Sequence, residues 1–176
     1  MALFGGVKFD EPVLRFLRER QTASRTRAML FVTKLGSFEV LSTVSIASVL
    51  ALLVTGNPRA ARYVAVTASG ASLMNQGAKA LFARTRPERT AWLSPTVGHA
   101  FPSGHAMSST AIYGAIALVI ARRAPAFKWI AVSTAGALSA AIGVSRCYLH
   151  VHYPSDVLAG WGLGVTWPLW LRKMAP

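Results

Sequence analysis

Residues 102–121 read PSGHAMSSTAIYGAIALVIA. No residue after the opening histidine carries a charge, and a helix of this length covers about 30 Å, the thickness of a bilayer's hydrocarbon core. This run is the third of five apolar stretches. The others extend from about Ala28 to Thr55, Tyr63 to Phe82, Trp129 to Ser145 and Val157 to Leu171, and the only charges inside them are Lys34, Glu39 and Lys79. Short breaks that are basic or contain Pro or Gly separate them. A soluble bundle needs a polar face on its outer helices, and these stretches offer almost none. The expected architecture is therefore all-α, an integral membrane helical bundle of about five transmembrane helices. Where a charge-free core is short, flanking Arg or Lys can lengthen it by snorkelling to the interface.

Composition agrees with that reading. Of 176 residues 53% are apolar and 14% charged, with mean hydropathy +0.41, yet 19 basic against 6 acidic residues leave a net charge of +13. A disordered basic tail or a nucleic-acid arm would carry few apolar residues, so no nucleic-acid partner is expected and the charge is assigned to membrane edges. The single Cys147 allows no intrachain disulfide. Met1 to Phe9 is too short and too mixed for the apolar core of a signal peptide. The chain reads as one domain, with an N-terminal interfacial segment over 1–27 and a transmembrane core over 28–172. In the former, Asp10-Glu11-Pro12 is a helix-start signal. Val13, Leu14, Phe16 and Leu17 then recur at helical spacing beside Arg15, Arg18 and Arg20, as in a short amphipathic helix on a bilayer surface. A solvated cap preceding the first span is the alternative. Small residues over 68–72, and Gly160 with Gly164, suit close helix packing.

Three segments carry chemistry. In the first, Lys79 and Arg86 lie two helical turns apart on one face, and Pro87 ends the helix; taken alone they are ordinary interfacial anchors. In the second, Pro102-Ser103-Gly104-His105 opens the third apolar stretch, where unpaired N–H groups and the helix dipole make an anion site. Gly104 permits close backbone approach, Ser103 offers a hydroxyl, and His105 is an acid at the same end. Taken alone, those four residues are better read as an ordinary cap with a surface histidine. In the third, Ser145-Arg146 is followed by His152 and by Asp156, which falls in the first turn of a helix started by Pro154. Its carboxylate can hold one nitrogen of His152 and leave the other as nucleophile or base. His150, His152 and Asp156 could alternatively bind a metal. Alternating crossings of the second, third and fourth stretches put all three segments on one membrane face. The inventory is then three cations, an anion-binding helix end, an acid and an oriented imidazole, which suits metal-free phosphoryl transfer. Three nearby cations would repel a divalent ion, so no metal and no cofactor is expected.

These motifs together resemble the type 2 phosphatidic acid phosphatases, which share a site with vanadium haloperoxidases and glucose-6-phosphatase. Lys79 to Arg86-Pro87, Pro102-Ser103-Gly104-His105, and Ser145-Arg146 to His152 to Asp156 match that family's pattern at every named position. Its members commonly have six spanning helices, so this chain looks like a short form without the first. The resemblance implies catalytic His152, His105 and Asp156, and phosphate held by Lys79, Arg86, Ser103, Gly104 and Arg146. His152 would form a phosphohistidine, Asp156 would orient it, and His105 would protonate the leaving group and then activate water. The implied substrate is a lipid phosphate in the bilayer, of polyprenyl diphosphate, phosphatidate or phosphatidylglycerophosphate type. A haloperoxidase-like enzyme with bound vanadate and a non-catalytic lipid-binding module are the alternatives. Oligomeric state is not encoded in any motif. Seven cations on the face opposite the site and five arginines near the N-terminus offset each other in the positive-inside rule. The resemblance implies an extracytoplasmic site in the cell membrane.

Overall fold

A computed structural model describes residues 7–175; the reading of Met1 to Phe9 as no signal core lies mostly outside them. The described residues form seven α-helices and no strand: α1 Asp10–Glu19, α2 Ala23–Lys34, α3 Phe38–Val54, α4 Pro58–Phe82, α5 Gly104–Arg123, α6 Lys128–Tyr148 and α7 Pro154–Trp170. All five apolar stretches are helical, and the helix-start signal at Asp10 opens α1. The starts follow local chemistry. Thr22 Oγ1 accepts from Arg25 N and Ser37 Oγ from Val40 N, while Pro58 and Pro154 occupy first turns where their missing N–H costs nothing.

The first stretch departs from a single straight span. It breaks at residues 35–37 into α2 and α3, which meet at a 43° bend. The elbow is held from outside: Tyr113 of α5 donates to Leu35 O at 2.7 Å, and a Cβ on Gly36 would meet Ile142 Cγ2 at 2.5 Å and the His105 ring at 3.3 Å. Close approach to two neighbouring helices therefore sets the bend, with Ser37 restarting the chain as α3. By length and hydropathy α5 and α6 can each cross a membrane, and the bent pair can be a third span. α4 is 25 residues long, but Arg59 and Arg62 near its start and Asn75, Gln76 and Lys79 toward its end shorten its apolar part; α7 has only 17 residues.

α5 is the central helix, packed against α3, α4, α6 and α7. Small residues make this possible. Ala106, Ala111 and Ala115 are fully buried, and Gly160 and Gly164 of α7 lie against the α5 backbone. Indole N–H groups tie the bundle across its depth, Trp161 to Ser139 O and Trp167 to Thr67 O, both at 3.1 Å. Gly70, in the small-residue cluster of α4, lies against the Trp167 ring. Val54, Trp129, Ile130 and Trp170 are exposed, and they lie near the cations Arg122, Arg123, Lys128 and Arg172, at the end away from the chemistry-bearing segments. Exposed aromatic and aliphatic side chains beside cations fit the edge of a bilayer rather than water.

A Cβ on Gly164 would sit 2.6 Å from Met107 O and 2.7 Å from Thr110 Cβ, whereas one on Gly162 would meet nothing within 4 Å. Gly164→Ala should therefore destabilise by about 1–3 kcal/mol through overpacking against a fixed backbone. Gly162→Ala should leave the thermal midpoint in detergent unchanged or raised. Equal midpoints for the two variants would refute the close α5–α7 contact.

Candidate active site

Four chain segments meet beyond the ends of α4, α5 and α6. α4 stops at Phe82, short of the end expected at Pro87: Ala83 turns left-handed at φ 44°, an unusual conformation for a residue with a Cβ, so Arg86 lies in the loop and not on one helical face with Lys79. The chain then returns over residues 84–103, pinned by Ala100 N to Arg84 O at 2.8 Å and by Leu93 N to Leu149 O at 3.0 Å. Arg86 shapes this loop from within. Its guanidinium donates to Gly98 O at 2.9 Å, Val97 O at 2.9 Å and Val151 O at 2.7 Å. Lys79, on the last turn of α4, donates to His99 O.

Ser103 is the first residue before α5 and caps nothing with its side chain. Its N–H donates to Asp156 O at 3.0 Å, which joins the start of α5 to that of α7, while its buried hydroxyl has no protein partner. A buried hydroxyl without a partner at a helix N-terminus is poised to meet a ligand oxygen. Gly104 differs in part from the expectation. The space beside its α-carbon is taken by Asn75, whose Oδ1 would lie 2.9 Å from an added Cβ, so the glycine admits a carboxamide from α4. Asn75 Nδ2 in turn donates to Pro102 O at 3.3 Å.

His152 lies between opposite charges. Asp156 Oδ2 is 3.5 Å from His152 Nδ1, and Arg86 Nη1 is 3.0 Å from Nε2. An arginine can only donate, so the proton belongs on Nδ1, toward the carboxylate, and the lone pair on Nε2, toward the cations. Both His152 and Asp156 are buried. Burial, with Arg86, Arg146, Lys79 and His105 in turn, holds the imidazole well below its ordinary pKa and therefore neutral. Four expected site residues thus lie within electrostatic range of one ring. Arg146, buried on α6, donates to Thr33 Oγ1 at 2.7 Å and keeps its Nε without a protein partner. Asp156 also accepts from Tyr153 N at 2.9 Å, closing the first turn of α7.

His150 stands apart. It takes φ 56°, both ring nitrogens lack partners, and the charge it feels is Arg18 of α1 rather than the cations around His152. Among the described residues no group of three His, Cys, Asp or Glu has the geometry to hold a metal. The shared metal site that His150, His152 and Asp156 could have formed does not assemble.

Two residues of this region escape sequence reading. Arg84 donates to Asp156 Oδ1 at 2.6 Å and to Asp10 Oδ2 at 2.8 Å, and all three side chains are buried. Asp10 reads as a helix-start residue, and no motif in the sequence singles out Arg84. The usable signal was scarcity: with six acids in the chain, one next to an apolar core needs a cation.

Comparison with known proteins bears on this arrangement. The model of the PAP2 superfamily matches residues 59–176. The chain is 35% identical over 99 residues to phosphatidylglycerophosphatase B of Bacillus subtilis (strain 168), covering 53% of this chain and 47% of the relative. Thus it spans about half the length of that protein. It is 28% identical over 170 residues to an undecaprenyl-diphosphatase of Sulfolobus acidocaldarius, covering 92% of this chain and 78% of the relative. Its fold is similar to the crystal structure of a transmembrane PAP2 type phosphatidylglycerolphosphate phosphatase from Bacillus subtilis, with TM-score 0.88, 24% identity, and 94% and 83% of the two chains covered. With the match extending from the start of α4 through α7, and so across every expected catalytic and phosphate-binding residue, the chain belongs to the PAP2 superfamily.

Proposed function

We propose that this protein is a membrane phosphatase that hydrolyses the head group of a lipid monophosphate or diphosphate through a phosphohistidine. The observation that carries the reading is the polarised His152, with Nδ1 facing Asp156 and Nε2 facing Arg86. Nε2 attacks phosphorus and the bond to the leaving lipid oxygen breaks, so the phosphoryl group passes to the ring. Asp156 balances the positive charge that develops on the imidazole. His105 protonates the departing oxygen; it then takes a proton from the water that attacks the phosphohistidine and releases inorganic phosphate. Lys79, Arg86, Arg146, the Ser103 hydroxyl and the Gly104 N–H hold the equatorial oxygens. The three cations supply the charge stabilisation that a metal gives elsewhere, so no metal is needed.

Candidate substrates are polyprenyl diphosphates, phosphatidate and phosphatidylglycerophosphate. The names of the two relatives and the apolar helices that surround the site support this class. We place the site on the extracytoplasmic face of the cell membrane on the strength of the family resemblance. The test is phosphate release from these lipids by the purified protein in detergent, with and without a chelator. Release unaffected by chelation and inhibited by vanadate, which mimics five-coordinate phosphorus, is the expected result. A strict need for a divalent metal would refute the mechanism.

A further inference from the structure

Behind the pair of His152 and Asp156 lies a second layer of charge. Arg84 bridges two buried carboxylates: Nη1 meets Asp156 Oδ1 at 2.6 Å, Nη2 meets Asp10 Oδ2 at 2.8 Å, and Cζ lies 4.4 Å above the Tyr153 ring. Asp10 is fastened independently of the arginine. Its Oδ1 accepts from Ser155 N at 2.9 Å, and its Oδ2 from Ser155 Oγ at 2.7 Å and Val7 N at 2.9 Å. Burial alone would raise its pKa, but these bonds together with Arg84 outweigh it and keep the carboxyl below its usual range.

The consequence runs along one line. Asp10 and Ser155 set the plane of the Arg84 guanidinium, the guanidinium takes Oδ1 of Asp156, and Oδ2, which accepts from Tyr153 N at 2.9 Å, faces His152 Nδ1 at 3.5 Å. A buried carboxylate that lost Arg84 would face a second one with no cation between them, and the two would share a proton or turn away. Asp10 comes from α1, which seats Leu14 against Ala106, Cys147 and Val157 and exposes Val13 and Phe16 on another stripe. The helix is therefore docked into the site as well as apolar on its outer side.

Given the proposed role of His152, we infer that Arg84 and Asp10 are positioning residues for the reaction and that α1 is a working part of the active site. Arg84→Ala should lower kcat by about 10–100-fold, as loss of an outer partner commonly does, with KM changed less than about threefold, because Arg84 is committed to the acids. Asp10→Asn should lower kcat about tenfold in the same pattern, since the amide carries no charge and has one acceptor oxygen, so it cannot accept from both Arg84 and Ser155 N as the carboxylate does. Arg84→Lys should not restore activity, because one ammonium cannot bridge two carboxylates in that geometry. Added guanidinium should partly rescue Arg84→Ala. The variants are compared with wild type and His152→Ala on one lipid phosphate in the same detergent, with thermal midpoints measured alongside. Wild-type kcat in Asp10→Asn, or a raised KM at unchanged kcat in Arg84→Ala, would overturn the inference. So would kcat losses that track the fall in midpoint and resist guanidinium. If Arg84→Ala does not fold, Asp10→Asn decides. Inactivity of the wild type itself would count against the phosphatase reading instead.

Discussion

His152→Ala should lower phosphate release from a lipid phosphate by about 10⁴-fold or more, the scale on which covalent nucleophiles are lost in triad hydrolases. The position admits no substitute. His150 is two residues away, but its left-handed backbone turns it out of the cluster and its charge neighbour is Arg18. Water would have to attack phosphorus directly, without the neutral imidazole that lies between Asp156 and Arg86. Rapid quenching with labelled substrate should trap a phosphoenzyme in the wild type and none in the variant. Turnover within tenfold of wild type, or a label that persists without His152, would remove the covalent step.

Substitution of Arg86 should be the next most damaging change. Loss of one preorganised donor to developing charge costs about 10²–10³ in kcat, and Arg86 also organises the loop that covers the site. Its guanidinium holds the carbonyls of Val97, Gly98 and Val151 and approaches His152 from the side of the lone pair. A lysine cannot serve so many acceptors from one point charge, so Arg86→Lys should fall within about tenfold of Arg86→Ala and far from wild type. Steady-state kinetics on both variants is the check. Near-normal activity in the lysine variant would mean that only the positive charge matters.

Much of the molecule was legible before any coordinates. The apolar stretches became helices because helix formation is local: proline in a first turn, a capping hydroxyl and an uninterrupted apolar run act over a few residues. The proposed site residues stood out because their three motifs, each at a helix end, together resemble one family's pattern, although the first two taken alone fit ordinary anchors or caps. The elbow at Gly36 was not, since its cause is contact with Ile142, His105 and Tyr113, far along the chain. Gly104 was read as an approach for phosphate, and the side chain that fills the space beside it, Asn75, comes from another helix.

The clearest division falls between Arg84 and Arg86. Apolar stretches and motif order by themselves determined a helical membrane protein of the PAP2 superfamily, with cations, two histidines and one aspartate that we propose act on phosphate. They could not divide the labour of two arginines two residues apart, since both look like cations at the end of one helix. Tertiary structure decided it. The left-handed turn at Ala83 and the docking of α1 place Arg84 between two buried acids, while the loop carbonyls aim Arg86 at His152. The physical reason is that a buried charge must find its opposite, and only the folded chain brings Asp10 to within 2.8 Å of an arginine 74 residues away.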